Sequence, residues 1–333
     1  MSLLATLQAN LLSPIPLAFA LGVIARLIKS ELALPKDLYA SLSIYLLFAL
    51  GLKGGVELSH ASLDAVMLPV GATLLIGTIT PLLTYATMRY AGRFGAIDSA
   101  AMAAHYGSVS AVTFIAAQQF VQRMGTPAEG FMPTLLTLLE SPGIHIALLI
   151  GAMERAKLQK KSGVVGGAGI GTVLHEVLTG RTMILLVGGL LVGLLMGSSG
   201  WTAVSPFFES GFKGALMLFL LEMGIVAGAR LGDLKKVGPF LLAFGILMPI
   251  VNGTIGALLG TWAGLSVGGV TVLATMASSA SYSAAPPAVR LTLPEANPTY
   301  TLTAALAITF PFNILAGIPL YHTIAIALSA RGL

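Results

Sequence analysis

The chain has 333 residues, of which 56% are hydrophobic and 9% are charged. Soluble globular domains are about 45–50% apolar and about 25% charged, so this composition is typical of a polytopic membrane protein and argues against a soluble enzyme. The absence of Cys excludes disulfides, thiolate metal sites and cysteine nucleophiles. The formal net charge is +5, and in a membrane protein an excess of Lys and Arg belongs to cytoplasmic loops, so no nucleic-acid partner is expected.

Apolar segments predict ten membrane-spanning helices, because a hydrocarbon core about 30 Å thick needs roughly 20 apolar residues per helix. The expected fold class is therefore an all-α polytopic membrane protein. The N-terminal residues lack the basic segment and cleavage site of a signal peptide, so we expect them to be retained. The predicted spans are 11–28, 38–58, 63–88, 97–122, 131–152, 182–199, 205–229, 239–262, 266–290 and 299–328.

The distribution of basic residues predicts the orientation, because Lys and Arg accumulate in cytoplasmic loops. Fourteen of the 18 fall at one face of the ten spans, which places the loops after spans 1, 3, 5, 7 and 9 in the cytoplasm. Both termini are then outside the cytoplasm, and we expect a multi-pass protein of the cell inner (plasma) membrane. The fourteen are Arg26, Lys29, Lys36, Arg89, Arg93, Arg155, Lys157, Lys160, Lys161, Arg181, Arg230, Lys235, Lys236 and Arg290.

An offset of 173 residues aligns the two halves of the chain and predicts an internal repeat. It places the Gly-x-x-x-Gly of span 2 on that of span 7, and the Ser-x-Ser-Ala of span 4 on that of span 9. Five spans per half is an odd number, so the halves form a 5+5 inverted repeat. We expect a first repeat at 1–152, a cytoplasmic linker at 153–181 and a second repeat at 182–333. The aligned pairs include Gly51 with Gly224, Gly55 with Gly228, Ser108 with Ser281 and Ser110 with Ser283.

Small polar clusters predict that spans 4 and 9 are broken and cross each other. In span 9, Pro286 and Pro287 supply no backbone N–H and disfavour helix before them, so a break is expected near 282–285. In span 4 the only helix breaker is Gly107, and the prediction of a break there depends on the repeat. Inverted repeats with broken helices are typical of secondary transporters, which bind substrate where the breaks meet.

Two breaks at membrane depth favour an anion as ligand. The second half-helices offer partial positive charge and free N–H donors at their N-termini, and the clusters add hydroxyls without any Arg or Lys. The alternative is that the small residues only allow close helix packing and the hydroxyls bond to their own helix. The predicted substrate-binding residues are Gly107, Ser108, Val109, Ser110, Ala111, Ser281, Tyr282, Ser283 and Ala284.

Ionisable residues inside membrane spans are candidates for function. Glu140, beside a proline in span 5, is interpreted as a ligand for a cation or a proton, or else as a protonated carboxyl bonded to Ser or backbone. With Thr113 and Ser279 it forms the predicted cation-binding set, and sodium is the only metal expected. His105 either lines the cavity or is a core histidine. No catalytic triad, metal cluster or nucleotide motif occurs, so neither catalysis nor a cofactor is expected.

Two i,i+4 pairs of opposite charge lie near the ends of spans 2 and 7. Lys53 with Glu57, and Glu209 with Lys213, have the spacing at which helical side chains meet. We expect each pair to form an ion pair or to extend towards the interface.

At these residues the sequence resembles the sodium-dependent bicarbonate transporter family over nearly its whole length. The resemblance implies ten spans in an inverted arrangement, a core domain with crossed broken helices, a gate domain, and a homotrimer. It also implies bicarbonate between the two breaks with sodium alongside, movement of one domain against the other, and a PII-like regulator at the cytoplasmic face. The motifs that carry it are Gly51-Leu52-Lys53-Gly54-Gly55, Gly107-Ser108-Val109-Ser110 with Thr113, Met223-Gly224, Arg230-Leu231, Pro286-Pro287 and Ala296-Asn297-Pro298.

The chain departs from the family pattern at two positions in span 9. Tyr282 stands where family members have an acidic residue, and Ala285 stands where they have Gly. The missing carboxylate leaves open another anion or proton coupling, and the short loop between the halves weakens the expectation of a PII-like partner.

The expected function is secondary active transport of a small anion, most simply bicarbonate with sodium, across the lipid bilayer by alternating access of a core domain against a gate domain. One alternative is a sodium- or proton-coupled organic-anion carrier of the bile-acid-symporter type. The alternative from another class is a membrane sensor or scaffold that binds an anion without transporting it.

Overall fold

The computed structural model describes residues 3–162, residue 175 and residues 179–331, and these residues form helices and connections without any strand. The all-helical prediction is therefore confirmed for this part of the chain. Most of the second half of the predicted linker at 153–181 lies outside the described residues. The helices are α1 (Leu3–Leu11), α2 (Pro14–Leu27), α3 (Lys36–His60), α4 (Leu63–Ala86), α5 (Ala96–Tyr106), α6 (Ala111–Arg123), α7 (Met132–Leu139), α8 (Pro142–Ser162), α9 (Arg181–Phe208), α10 (Phe212–Arg230), α11 (Leu234–Trp262), α12 (Val267–Ser278), α13 (Ala285–Thr292) and α14 (Pro298–Ser329).

Seven helical segments in the described ranges are long and apolar enough to cross a membrane. One of them, Phe212–Trp262, contains both α10 and α11, whereas α2 and α12 are apolar but shorter. The arrangement of ten spans in two inverted repeats therefore stays a prediction. The seven segments are Lys36–His60, Leu63–Ala91, Ala96–Arg123, Met132–Lys157, Arg181–Phe208, Phe212–Trp262 and Pro298–Ser329.

The segment that contains α5 and α6 lies at the centre of the protein. In its most apolar 18-residue window 94% of the residues are buried, whereas the corresponding window of α9 is 17% buried. A helix that is apolar and mostly exposed in a membrane protein faces lipid or another subunit, while a buried one is surrounded by protein. The broken span 4 is thus enclosed by the other helices.

Two helix pairs join the first half of the chain to the second through glycines. Where α3 packs on α9, a Cβ added to Gly51 would lie 3.0 Å from the Cα of Gly189. Where α2 packs on α10, a Cβ added to Gly224 would lie 3.0 Å from the Cα of Gly22. Small residues allow such close approach of membrane helices. The two glycines aligned by the 173-residue offset, Gly51 and Gly224, therefore make equivalent contacts between backbones.

The other helices pack around the two broken spans. In the first half α5 packs against α4 and α8, and in the second half α12 packs against α11 and α14. The two halves meet where α6 packs against α12. Gly107, at the end of α5, lies so close to α4 that a Cβ there would be 2.7 Å from the Cβ of Pro81. This second group of helices holds both breaks.

Several local features differ from the predicted spans. Span 5 was expected to be continuous, but α7 ends at Leu139 and α8 begins at Pro142, because proline cannot continue the hydrogen-bond ladder of the preceding turn. A short N-terminal helix, α1, ends at Leu11, where the predicted first span begins. The predicted straight span 10 is α14, which contains two π-helical segments, Thr303–Thr309 and Asn313–Gly317.

Candidate functional site

The first break consists of residues 107–110 between α5 and α6. Ser110 caps α6: its hydroxyl oxygen accepts from the backbone N–H of Thr113 (3.3 Å) and from the Thr113 hydroxyl (3.0 Å). The Ser108 hydroxyl donates to the carbonyl oxygen of Glu140 (2.8 Å). The break is thus held to its own helix on one side and to the end of α7 on the other.

The second break consists of residues 279–284 between α12 and α13. The Ser281 hydroxyl oxygen accepts from the backbone N–H groups of Ala284 (3.2 Å) and Ala285 (3.4 Å). The double proline follows in the first turn of α13, where its missing N–H groups would have no intrahelical acceptor in any case. The helix therefore stops and restarts close to the place that the prolines predict.

The two breaks are hydrogen-bonded to each other. The Ser281 N–H donates to the His105 carbonyl oxygen (2.7 Å), and His105 Nδ1 donates to the Ser281 carbonyl oxygen (2.7 Å), because a carbonyl can only accept. The Ser110 N–H donates to the Ser279 hydroxyl oxygen (2.9 Å). In the first break the bonded residues are His105 and then Ser110, and their partners in the second break are Ser281 and then Ser279. The two segments are therefore antiparallel where they meet.

A cavity of about 50 Å³ lies beside this contact, between the breaks and the helices α3, α9 and α10. Ser110, Tyr282 and Ser283 contribute hydroxyls from the breaks, and the Ser110 hydroxyl donates to Tyr282 Oη (3.3 Å). Among the described residues, neither Lys nor Arg lines it. A water molecule occupies about 30 Å³ in the liquid, so the cavity has room for a ligand of a few heavy atoms. Its full lining is Tyr39, Ser43, Leu46, Leu47, Ser110, Ala111, Val112, Ile115, Thr182, Phe219, Tyr282 and Ser283.

A larger cavity of about 530 Å³, the vestibule, lies next to the small cavity along α3 and α6. Its lining on α3 starts at Ala49, two residues after Leu47 of the small cavity, and on α6 at Gln118, three residues after Ile115. Three glutamines, three glutamates and two lysines line it. The vestibule is therefore polar, and the two cavities lie in series along the interface of α3 and α6.

The structure brings four of the predicted substrate residues to the cavity and leaves five in the breaks without lining it. The four are Ser110, Ala111, Tyr282 and Ser283. Ser281 and Ser108 instead form the bonds that hold the breaks in place. The remaining three are Gly107, Val109 and Ala284, of which Gly107 permits the close approach to α4.

The predicted cation residues occupy two places. Thr113 and Ser279 both bond to Ser110, at the contact between the breaks. Glu140 is only 2% exposed, and neither carboxylate oxygen has a hydrogen-bond partner among the described residues. It is connected to the first break through Ser108, which bonds to its carbonyl oxygen.

Sequence reasoning missed three hydroxyls of the cavity, those of Tyr39, Ser43 and Thr182. Tyr39 and Ser43 are four residues apart and so share one face of α3, which is a signal that the sequence does contain. Thr182 lies in the first turn of α9 and no pattern around it points to the cavity.

The expected i,i+4 ion pairs are not formed. Lys53 Nζ lies 2.8 Å from Glu209 Oε1, so the ion pair joins α3 to the C-terminal end of α9 beside the vestibule. Among the described residues, Glu57 and Lys213 make no ion pair. The ion-pair alternative was wrong because Lys53 lies within reach of the end of α9, whereas extension towards the interface stays a prediction for Glu57 and Lys213.

Comparison with known proteins identifies the chain through a family model. The model described as the Na⁺-dependent bicarbonate transporter superfamily matches residues 14–326, which includes α2 to α13 and most of α14. No curated protein matches the chain.

Proposed function

The chain belongs to the Na⁺-dependent bicarbonate transporter superfamily, and from that premise we propose that it is a secondary active transporter that carries bicarbonate together with sodium. One observation carries the proposal: two hydrogen-bonded helix breaks flank a cavity of about 50 Å³ that is lined by hydroxyls. Transporters bind their substrates at such breaks.

The cavity suits an anion although it lacks a basic residue. Ala111 and Val112 are the first residues of α6 and line the cavity. The first N–H groups of a helix have no intrahelical acceptor and sit at the positive end of its dipole, which favours an anion by about 0.3–2 kcal/mol. The hydroxyls of Tyr282 and Ser283 supply further donors. Because several weak hydrogen-bond donors hold the anion in place of one strong positive charge, the anion can also be released, as transport requires.

The cavity volume favours bicarbonate over a large organic anion. Pockets for drug-sized ligands have volumes of roughly 300–1,000 Å³ and mostly apolar walls. The cavity at the breaks is about 50 Å³, and the adjacent space that would be large enough is lined by charged and amide side chains. These facts argue against the carrier of the bile-acid-symporter type.

Sodium in this proposal binds near Glu140. A buried carboxylate without a partner is costly unless a cation or a proton neutralises it. Glu140 is bonded to the first break through Ser108, so its neutralisation affects the segment that carries Ser110. This arrangement supports coupling between the cation and the anion even though Tyr282 replaces the acidic residue of the family.

The proposed movement separates two groups of helices. One group is α2, α3, α9 and α10, which pack in pairs through glycines, and the other holds the breaks. The small cavity has walls from both groups, with Ser43 from the first and Ser283 from the second. Sliding of one group against the other would open the cavity to either side. The equivalent contacts of Gly51 and Gly224 support the inverted repeat that such a mechanism uses.

The test of function is uptake of labelled bicarbonate into proteoliposomes, with and without an inward sodium gradient. We expect saturable uptake that the gradient stimulates. Absence of saturable uptake under both conditions would refute bicarbonate transport and leave the anion-binding sensor as the better description. Saturable uptake that is equal with and without the sodium gradient would refute only the coupling of bicarbonate to sodium.

A pair of serine substitutions tests the site. Ser283→Leu fills the cavity and is expected to abolish saturable uptake. Ser41→Leu is the control, because Ser41 is exposed on α3, bonds to its own helix at Asp37, and lies outside the cavity. Both variants must elute as folded protein in gel filtration. Equal uptake by the two variants would show that the cavity is not the transport site.

A further inference from the structure

A second cavity, of about 100 Å³, lies on the other side of the contact between the breaks. It shares no lining residue with the cavity at Ser283, and its walls come from α5, α13, the connection that follows and the start of α14. None of the helices α2, α3, α9 and α10 lines it. It therefore lies within the group of helices that holds the breaks, open at the surface beside Arg290, and away from the interface along which the proposed transport occurs.

Two side chains of this cavity, the exposed Arg290 and the buried His105, have polar atoms without a partner among the described residues. The Arg290 guanidinium makes no hydrogen bond or ion pair with any described residue. His105 is 1% exposed and lines the cavity, and its only hydrogen bond within the described ranges is the one from Nδ1 to Ser281. Three prolines in the lining, Pro286, Pro294 and Pro298, offer no backbone N–H.

The bond to Ser281 places a hydrogen on His105 Nδ1, and burial of the ring disfavours a second proton, which would charge it. Because Nδ1 carries the hydrogen, Nε2 of the neutral ring is an acceptor with a free lone pair. Arg290, in contrast, can only donate, and its planar fork fits two oxygens of one anion. A ligand that satisfies both groups must carry negatively charged oxygens and also a hydroxyl.

We propose that this cavity binds a small oxyanion that bears a hydroxyl, with Arg290 donating to the charged oxygens and His105 Nε2 accepting from the hydroxyl. Hydrogencarbonate is the smallest ion of this class, and dihydrogen phosphate is a larger one. Nitrate has the same planar shape and charge as hydrogencarbonate but no hydroxyl, so it leaves Nε2 unsatisfied. The site does not depend on whether the cavity at Ser283 binds an anion.

Occupancy of this site acts on the second break through His105. The same residue forms both hydrogen bonds to Ser281, through its carbonyl oxygen and through Nδ1. A ligand that holds the imidazole at Nε2 therefore stabilises the joined state of the two breaks. The anion in this cavity is a modulator of the transport site, not the transported ion.

The natural absence of Cys allows the two cavities to be observed separately. Ala296→Cys places a thiol in the second cavity, and Ser283→Cys places one in the first. The rate of modification by the uncharged reagent N-ethylmaleimide is measured on purified, folded protein with and without hydrogencarbonate at constant pH and ionic strength. At ten times the dissociation constant, a bound ligand slows the reaction about tenfold.

We expect hydrogencarbonate to slow modification of Ala296→Cys and nitrate to leave it unchanged. Adding Arg290→Gln is expected to remove this protection, Arg290→Lys to retain part of it, and Arg93→Gln, which removes an exposed guanidinium outside the cavity, to retain all of it. Equal protection by nitrate would overturn the role of the hydroxyl. Protection that persists in both Arg290 variants would overturn the assignment to Arg290. Protection by phosphate alone would overturn the assignment to hydrogencarbonate.

The two reporters separate this inference from the proposed function. Protection of Ser283→Cys without protection of Ala296→Cys would overturn the second site and leave the transport site intact. Protection of Ala296→Cys without protection of Ser283→Cys would support the second site and count against bicarbonate as the transported anion.

Discussion

Adjacent glycines on α9 are expected to respond in opposite directions to the same substitution. A Cβ on Gly189 would lie 3.0 Å from Gly51 Cα and 3.1 Å from the Phe48 carbonyl oxygen, and both are backbone atoms that cannot rotate away. Overpacking of this kind costs about 1–3 kcal/mol. A Cβ on Gly188 would meet no atom within 4 Å, so Gly188→Ala gains only the conformational benefit of alanine in a helix, about 0.5–1 kcal/mol.

Reversible unfolding in mixed micelles with increasing SDS, followed by circular dichroism, measures this difference. We expect Gly189→Ala to lower the free energy of unfolding by about 1–3 kcal/mol and Gly188→Ala to leave it equal or higher. In the other helix pair a Cβ on Gly224 would lie even closer to the Phe19 carbonyl oxygen than the contacts at Gly189, so Gly224→Ala should cost more than Gly189→Ala. Equal stability of the Gly188 and Gly189 variants would refute close backbone packing as the basis of the α3 and α9 contact.

Two further experiments concern buried polar groups. Glu140→Gln removes the charge at nearly constant volume, so we expect folded protein whose bicarbonate uptake no longer responds to a sodium gradient; unchanged stimulation would exclude Glu140 from coupling. Asn313 donates to the Ser278 carbonyl oxygen (3.1 Å) and accepts from the Tyr321 hydroxyl (3.2 Å). Asn313→Ala should therefore lower the free energy of unfolding by about 2 kcal/mol, and Tyr321→Phe should lower it by about 1 kcal/mol. Equal losses in the two variants would show that the bond to Tyr321 carries the whole effect.

The positions of the helix breaks could be predicted because they depend on local chemistry. Proline restricts the residue before it and lacks an N–H, so the sequence around Pro286 is sufficient to predict that α12 stops and α13 restarts. Gly107 alone is a weaker indication of a break in span 4, and the prediction there also depends on the alignment with span 9 in the repeat. The break before Pro142 has the same local cause, yet it was missed because the span was read for hydropathy alone.

The partners of the polar residues could not be predicted from local patterns. The offset of 173 residues aligns Ser110 with Ser283, whereas the structure bonds Ser110 to Ser279 and Tyr282. The segments run in opposite directions, so residues that are equivalent in the repeat are not the residues that meet. The same offset aligns Glu140 with Asn313, and each lies at an irregular place in its helix, so the sequence contains a further sign of the repeat at these two positions.

The glycine contacts between α2 and α10 and between α3 and α9 also bear on how the protein is made. Each pair takes one helix from the first half of the chain and one from the second. While the ribosome is still translating the first half, the faces of α2 and α3 that carry Gly22 and Gly51 have no partner helix, because α10 and α9 do not yet exist. Insertion into the membrane and burial are therefore separate events for these helices, and the bundle of α2, α3, α9 and α10 assembles only after α10 has been synthesised.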